Sequence, residues 1–235
     1  MTTIMRARDI FSGLNPEDEQ APDKIIEVRE TRGLAAIVEG FERFFEIVTL
    51  FGETNESTYD KALKCIPDRS RYNPVEVEQF SLLLERYINR IPKCEMHGLY
   101  LSALINRGKD RRFTVHTGRP PSLLVYTGSL GYYNARKIIT IEGDTGYSAG
   151  HYMSGGVIIV NGNAKSPGSG MTGGKLIING DVEGDVGWGI RGGKIHLNGN
   201  YNIKDINLRA DGSPYDGGKI YHKGKLIVKK RVRVG

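Results

Sequence analysis

Cysteine and tryptophan are almost missing from this chain: 235 residues hold two cysteines, Cys65 and Cys94, and one tryptophan, Trp188. So few thiols fit a reducing compartment, where a lone cysteine behaves as a small buried hydrophobe. The Cys94-Glu-Met-His97 spacing supplies half of a zinc motif, and no second Cys/His pair stands nearby to complete it. Long apolar runs are missing as well. Nothing approaches the roughly 18 apolar residues of a membrane span, and the first twenty residues lack the apolar stretch of a secretory signal. The expectation is a soluble, cytoplasmic protein without membrane contact. Asn55-Glu56-Ser57 matches a glycosylation acceptor, which without secretion reads as a polar loop.

Glycine is what the chain has in excess: 31 residues, most of them in a unit repeated between residues 139 and 200. The unit reads Ile139-Thr-Ile-Glu-Gly-Asp144, then Ile158-Ile-Val-Asn-Gly-Asn163, Leu176-Ile-Ile-Asn-Gly-Asp181 and Ile195-His-Leu-Asn-Gly-Asn200. Glycine pairs at 155–156, 173–174 and 192–193 separate the copies, so the period is 18 or 19 residues. A short apolar run ending in Asn-Gly can open a hairpin. A hairpin needs an alternating partner at once, and Asn163-Ala-Lys-Ser-Pro-Gly168 is loop chemistry. Each copy therefore pairs with the next copy, because a single unit is too small to bury its own apolar face. This places Ile141, Val160, Ile178 and Leu197 in one inward file and Ile158, Leu176 and Ile195 in another. Asn161, Asn179 and Asn198 form a polar ladder at a corner, each followed by a glycine free to take positive φ. Gly150, Gly156, Gly168, Gly170, Gly174, Gly187, Gly189 and Gly193 are the structural glycines of the lattice.

Gly168-Ser-Gly-Met-Thr-Gly173 and Gly187-Trp-Gly-Ile-Arg-Gly192 both match G-x-G-x-x-G. That fingerprint holds a dinucleotide only when its last glycine opens a helix. Here it opens a β-branched run, so the motif reads as a repeat corner.

The stretch Gly168-Ser-Gly-Met-Thr-Gly-Gly-Lys-Leu-Ile-Ile-Asn-Gly-Asp181, with looser relatives at 150–163 and 187–200, resembles the glycine-rich GXGXG β-helix. That family comprises the C-terminal domain of the glutamate synthase large subunit and is similar to one of the subunits of formylmethanofuran dehydrogenase. The resemblance covers about residues 113–228 and implies a right-handed, single-stranded parallel β-helix. It also implies a scaffold that packs against catalytic domains or subunits, with the amide, flavin, iron–sulfur or metal chemistry located elsewhere. No catalytic, cofactor-binding or metal-binding residue carries over. No nucleophilic cysteine opens the chain, no flavin barrel is present, and two cysteines cannot supply a cluster's four ligands. Flavin or iron–sulfur is therefore expected on partner subunits alone, and no activity of the chain's own is expected.

Ahead of the repeat the periodicity changes. Residues 1–24 are polar and punctuated by Asn15-Pro16 and Ala21-Pro22, which predicts an irregular lead. A short strand is expected around Ile25–Val28. Leu34, Ile37, Val38, Phe41, Phe44, Phe45 and Val48 recur at helical spacing, and a second helix is expected over 58–65. Asn73, Pro74 and Glu76 spell a capped helix start. That helix is expected to run to Ile91-Pro92, and a fourth covers 96–105. The fold class is thus α+β, with a helical domain over 25–110 followed by the β-helix over 111–235.

Net charge is +6, unevenly spread: residues 1–60 hold 6 basic and 13 acidic side chains, whereas residues 61–120 hold 12 and 6. Asn106–Arg112 is a basic connection whose Arg107, Arg111 and Arg112 are candidate contact residues. Nucleic acid is disfavoured there, since no recognised binding motif accompanies the charge. The five histidines, at 97, 116, 151, 196 and 222, form no catalytic or metal spacing. Asp144, Asp181 and Asp185 read as turn residues rather than a cation site. Trp188, flanked by Gly187 and Gly189, is the leading candidate for an interaction hot spot. The function expected is a scaffold or linker within a multisubunit oxidoreductase or amidotransferase complex, or a homo-oligomer. Two alternatives stand beside it. One is a hexapeptide-type acyltransferase, whose coils also span about 18 residues; the other is an autonomous adaptor for protein or nucleic acid.

Overall fold

The computed structural model describes residues 2–5, 26–51, 55–84, 87, 96–117, 128–202 and 217–228. Among the described residues the architecture is α+β, with four helices followed by a mostly parallel sheet. Strand β1 (Thr2–Met5) pairs antiparallel with β2 (Ile26–Arg29). An irregular segment was expected at 1–24, and residues 2–5 depart from it because β2 offers their main chain a partner. The Asn15-Pro16 and Ala21-Pro22 punctuation lies outside the described residues.

Helices α1 (Arg32–Phe51), α2 (Asn55–Cys65), α3 (Pro74–Leu83) and α4 (Met96–Arg107) follow. Asn73 caps α3 as its sequence predicts, accepting from the Val75 and Glu76 amides while Glu76 reaches back to the Asn73 amide at 2.9 Å. The same Glu76 carboxylate accepts from Thr31 Oγ1 at 2.6 Å, and Thr31 Oγ1 accepts from the Leu34 amide. One carboxylate thereby fixes the starts of two helices. The sequence predicts that α3 runs to Ile91-Pro92; it ends earlier, at Leu83 with Leu84 as its C-cap, and Ile91-Pro92 lies outside the described residues. Phe41 centres the helical core, with the rings of Phe44, Phe80, Tyr87, His97 and Tyr100 at 5.1–6.2 Å. The buried hydroxyls of Tyr72 and Tyr100 donate to the carbonyls of Leu104 and Ile37. Burial pushes both phenols above their ordinary pKa. Cys65 lies in this core, as a lone thiol should; Cys94 is outside the described residues.

The remainder is built from repeats. β3 (Arg112–His116), β4 (Ile138–Glu142), β6 (Val157–Val160), β8 (Thr172–Ile178), β10 (Gly192–Leu197) and β11 (Lys219–His222) form one parallel sheet in chain order. β12 (Lys225–Val228) folds back antiparallel on β11 at its edge. β5 (Thr145–Tyr147), β7 (Ala164–Lys165) and β9 (Val182–Glu183) form a second, three-stranded parallel sheet. Each repeat thus gives one strand to the long sheet, and the central repeats give another to the short one. The expected files are the observed registers: Ile141, Val160, Ile178 and Leu197 are in line, as are Ile158, Leu176 and Ile195. All seven are at most 1% exposed, so the repeats share one continuous apolar column.

The polar ladder is present too. Asn198 Nδ2 donates to Asn179 Oδ1 and Asn179 Nδ2 to Asn161 Oδ1, both at 2.7 Å, and the series ends on Glu142 Oε1 at 3.0 Å. The glycines behind these asparagines need correcting. Gly162, Gly180 and Gly199 are not in the positive-φ region. They are glycine because consecutive repeats stack too closely for a side chain: a Cβ on Gly162 would fall 2.2 Å from the Gly143 carbonyl oxygen, and one on Gly199 the same distance from that of Gly180. The glycine pairs divide the two tasks. In Gly173-Gly174 a Cβ on the first would meet Ser154 O at 2.1 Å, and the second holds φ at +79°.

Helices close one end of the sheet. α3 packs on β3, where Ser81 Oγ accepts from the His116 amide at 2.9 Å and Glu78 pairs with the His116 ring at 2.9 Å. α4 abuts residues 128–132: Ser102 Oγ accepts from the Gly131 and Tyr132 amides, and a Cβ on Gly98 would run into the Gly128 carbonyl. Lys137 Nζ donates to the carbonyls of Gly108 and Asp110, neutralising the carboxyl end of α4. One hydrophobic core therefore runs from Val28 through the helices to Ile220.

Candidate functional site: an aromatic corner

Between the short sheet and the next long strand the chain turns through a corner written once per repeat. Its members are Ser129-Leu-Gly-Tyr-Tyr133, Ser148-Ala-Gly-His-Tyr152, Ser166-Pro-Gly-Ser-Gly170 and, one residue longer, Gly184-Asp-Val-Gly-Trp-Gly189. The first, third and last residues of the three five-residue corners have positive φ, and the fourth corner keeps this at Gly184, Gly187 and Gly189. Such a path leaves the amides facing along the stack. The Gly150, Gly168 and Gly187 amides donate to Leu130, Ala149 and Pro167 of the preceding corner at 2.8–2.9 Å. The Tyr133, Tyr152 and Gly170 amides donate forward to His151, Ser169 and Trp188 at 2.7–3.1 Å. The corner is consequently a main-chain ladder, as fixed as a sheet.

The last corner position needs only a residue that tolerates left-handed backbone, and in two corners it is glycine. In the other two it is tyrosine, at φ +54° for Tyr133 and +53° for Tyr152. Left-handed backbone costs an L residue about 1–2 kcal/mol. The rings are nonetheless 38% and 43% exposed, so burial does not account for them. They stack on each other, with centroids 5.6 Å apart and planes 25° apart. Beneath them Tyr132 is buried, Tyr59 reaches in from α2, and Asn106 ties the Tyr59 hydroxyl to the Tyr132 carbonyl. His151 stacks on Tyr152 at 4.1 Å and meets the Tyr132 ring edge-on at 5.4 Å. Burial alone holds His151 below its ordinary pKa, and its Nδ1 is enclosed without a hydrogen-bond partner. The imidazole is therefore neutral near pH 7, and its ring is an apolar support for Tyr152.

Trp188 belongs to the same corner. It is 51% exposed and follows Tyr132, His151 and Ser169 in the penultimate position. Three repeats at about 4.8 Å each put it roughly 14 Å along the stack from Tyr132. The arginines are not part of this group. Arg107 ends α4 and, with Arg69, lines a cavity of about 380 Å³; Arg111 and Arg112 are exposed at the start of β3. The eight lattice glycines all have positive φ, and Gly150, Gly168, Gly170, Gly187 and Gly189 belong to the corner itself. Gly173 and Gly192, which close the two dinucleotide-like motifs, lie in strands β8 and β10.

The acidic residues do structural work. Asp144 Oδ1 accepts from the Asn163 amide and Asp181 Oδ1 from the Asn200 amide, each at 2.7 Å, while Asp185 is exposed at a different corner. Among the described residues no group of three or more His, Cys, Asp or Glu side chains is placed to hold a metal ion, and no helix is long and apolar enough to cross a membrane. The strand-and-glycine pattern of the repeats did not single out Tyr59, Tyr132, Tyr133 or Tyr152. The signal for the last three was there: Gly131-Tyr-Tyr and Gly150-His-Tyr occupy the phase of Gly168-Ser-Gly and Gly187-Trp-Gly in the two preceding repeats. Comparison with protein-family models, curated proteins and solved structures returns no match for this chain.

Proposed function

We propose that this chain is a non-catalytic scaffold subunit, related to the C-terminal domain of the glutamate synthase large subunit, whose aromatic corner packs against protein subunits of a larger complex. In this reading the two sheets and the corner close into a right-handed parallel β-helix, with the helices as its cap. The complex is an oxidoreductase or amidotransferase in the cytoplasm, and any flavin or iron–sulfur group belongs to the partner subunits. One observation carries the docking role: Tyr133 and Tyr152 keep exposed, stacked rings on left-handed backbone where the neighbouring repeats manage with glycine. Strain held at an exposed position is a mark of use rather than of folding.

The mechanism is positioning. Tyrosine and tryptophan bring large contact area with few rotatable bonds, and a hydrogen-bonded ladder beneath them loses little freedom on docking. Partners seated at successive repeats are thereby held at a fixed spacing. The test is purification of the tagged chain from its native cells, with stoichiometric partners quantified for the wild type and for Tyr152→Ala and Trp188→Ala. Flavin, iron–sulfur or amidotransferase subunits are expected with the wild type and depleted with both variants. Recovery of the chain alone rejects the scaffold role.

A further inference from the structure

The glycine pairs at 173–174 and 192–193, and Gly217-Gly218 after them, are each followed by lysine. The registers bring these lysines together: Lys175 in β8 is in line with Lys194 in β10, and Lys194 with Lys219 in β11. Their neighbours Leu176, Ile195 and Ile220 are at most 1% exposed, so strand alternation turns all three lysines to the outer face. Like charges facing each other on adjacent strands are destabilising. No acidic side chain occupies the outward positions 157, 159, 175, 177, 194, 196, 219 and 221 of this face. The field reaches the next column, where His196 is held below its ordinary pKa by burial and then by Lys175 and Lys194.

That next column is apolar. Ile159, Ile177, His196 and Tyr221 are in register and half-buried, and the rings of His196 and Tyr221 stack at 4.7 Å with planes 8° apart. The described helices pack at the opposite end of the sheet, on β3 and the first corner. A basic column thus runs alongside an apolar one on the outer face of the long sheet.

We propose that this face binds an acidic helical segment of a protein partner, one that presents a carboxylate each turn beside an apolar stripe. A helix rises 5.4 Å per turn and strands lie about 4.8 Å apart. Three turns therefore set three carboxylates along three ammonium groups with a mismatch of roughly 1 Å over the row. The apolar stripe then covers Ile159, Ile177 and the Tyr221 edge. Single-stranded nucleic acid needs open ring faces for its bases. Here the rings face each other, and the positions beyond them in register are Ile177 and Leu226. A two-fold contact between two such faces with its axis along the strands would set lysine against lysine. The site is separate from the aromatic corner, and either can fail without the other.

The experiment is fluorescence anisotropy of a labelled 18-residue helical peptide with glutamate once per turn and leucine on the adjoining stripe, titrated with the full chain at low salt. A peptide of the same composition with its glutamates scattered around the helix, and an oligothymidylate, serve as competitors. Saturable binding of the patterned peptide is expected, about tenfold weaker for the scattered one, weakened by salt. K194E should lower affinity at least about tenfold, and K175E/K194E/K219E should abolish it; thermal melts check folding, and K194E alone decides if the triple variant is unfolded. Absence of binding, equal binding of the scattered peptide, unchanged affinity in folded K194E, or preference for the oligothymidylate overturns the proposal.

Discussion

The ring of Tyr152 lies over Gly170, so close that a Cβ on Gly170 would fall 2.5 Å from Tyr152 Cδ1. Both residues hold the same corner position in successive repeats and both have positive φ, +53° and +65°. One repeat thus supplies a ring and the next supplies the space for it.

Tyr152→Gly should accordingly separate folding from docking. Relief of left-handed strain, about 1–2 kcal/mol, offsets the loss of ring contacts with Tyr133 and His151, about 0.5–1.5 kcal/mol each. Urea denaturation should show stability within about 1.5 kcal/mol of wild type, while partner recovery falls at least tenfold. A large loss of stability would mean that the tyrosine serves the fold.

The two roles of glycine give responses to alanine of different size. At Gly173 a Cβ would sit 2.1 Å from the Ser154 carbonyl oxygen, backbone that cannot yield. At Gly189, φ is +66° but nothing lies within 4 Å. Gly189→Ala should cost about 1 kcal/mol, and Gly173→Ala more than about 3 kcal/mol, the range of strained or overpacked cores. Thermal melts of the two variants make the comparison.

Asn179 both donates to Asn161 and accepts from Asn198, each at 2.7 Å. Asn179→Ala breaks two links of an exposed ladder and should cost about 1–2 kcal/mol. Hydrogen exchange should accelerate at the Asn161 and Asn198 amides, which are bonded to Ile141 and Ile178, before it does in α1.

His151 gives the corner a pH response. Its pKa is depressed in the folded chain, so the unfolded chain takes up a proton first as pH falls. Its contribution to stability is whole above the unfolded value of about 6.5 and declines below it until the folded value is passed. The slope cannot exceed about 1.4 kcal/mol per pH unit for one proton. Denaturation midpoints between pH 7 and 5 should fall less steeply in His151→Phe than in wild type.

The repeats were legible because stacking imposes its period on the sequence. Ile141, Val160, Ile178 and Leu197 must match to share a column, and Asn161, Asn179 and Asn198 must match to bond in series. Asn73 and Glu76 were legible because a capping box is local. Long-range relationships were not: the Ser81 hydroxyl on the His116 amide joins residues 35 apart, and Tyr59 meets Tyr132 across the two halves of the chain. Gly162 misled because Asn-Gly most often marks a left-handed turn, whereas the repeat below it leaves no room for a Cβ. The lysine column escaped notice since single lysines look solvated until registers align them.

Hydrogen exchange of the chain, alone and within its isolated native complex, tests the docking role most directly. The account predicts new protection concentrated at residues 131–133, 150–152 and 187–189, with the α1 core unchanged. Protection confined to the helices, or none at the corner in an intact stoichiometric complex, would contradict it.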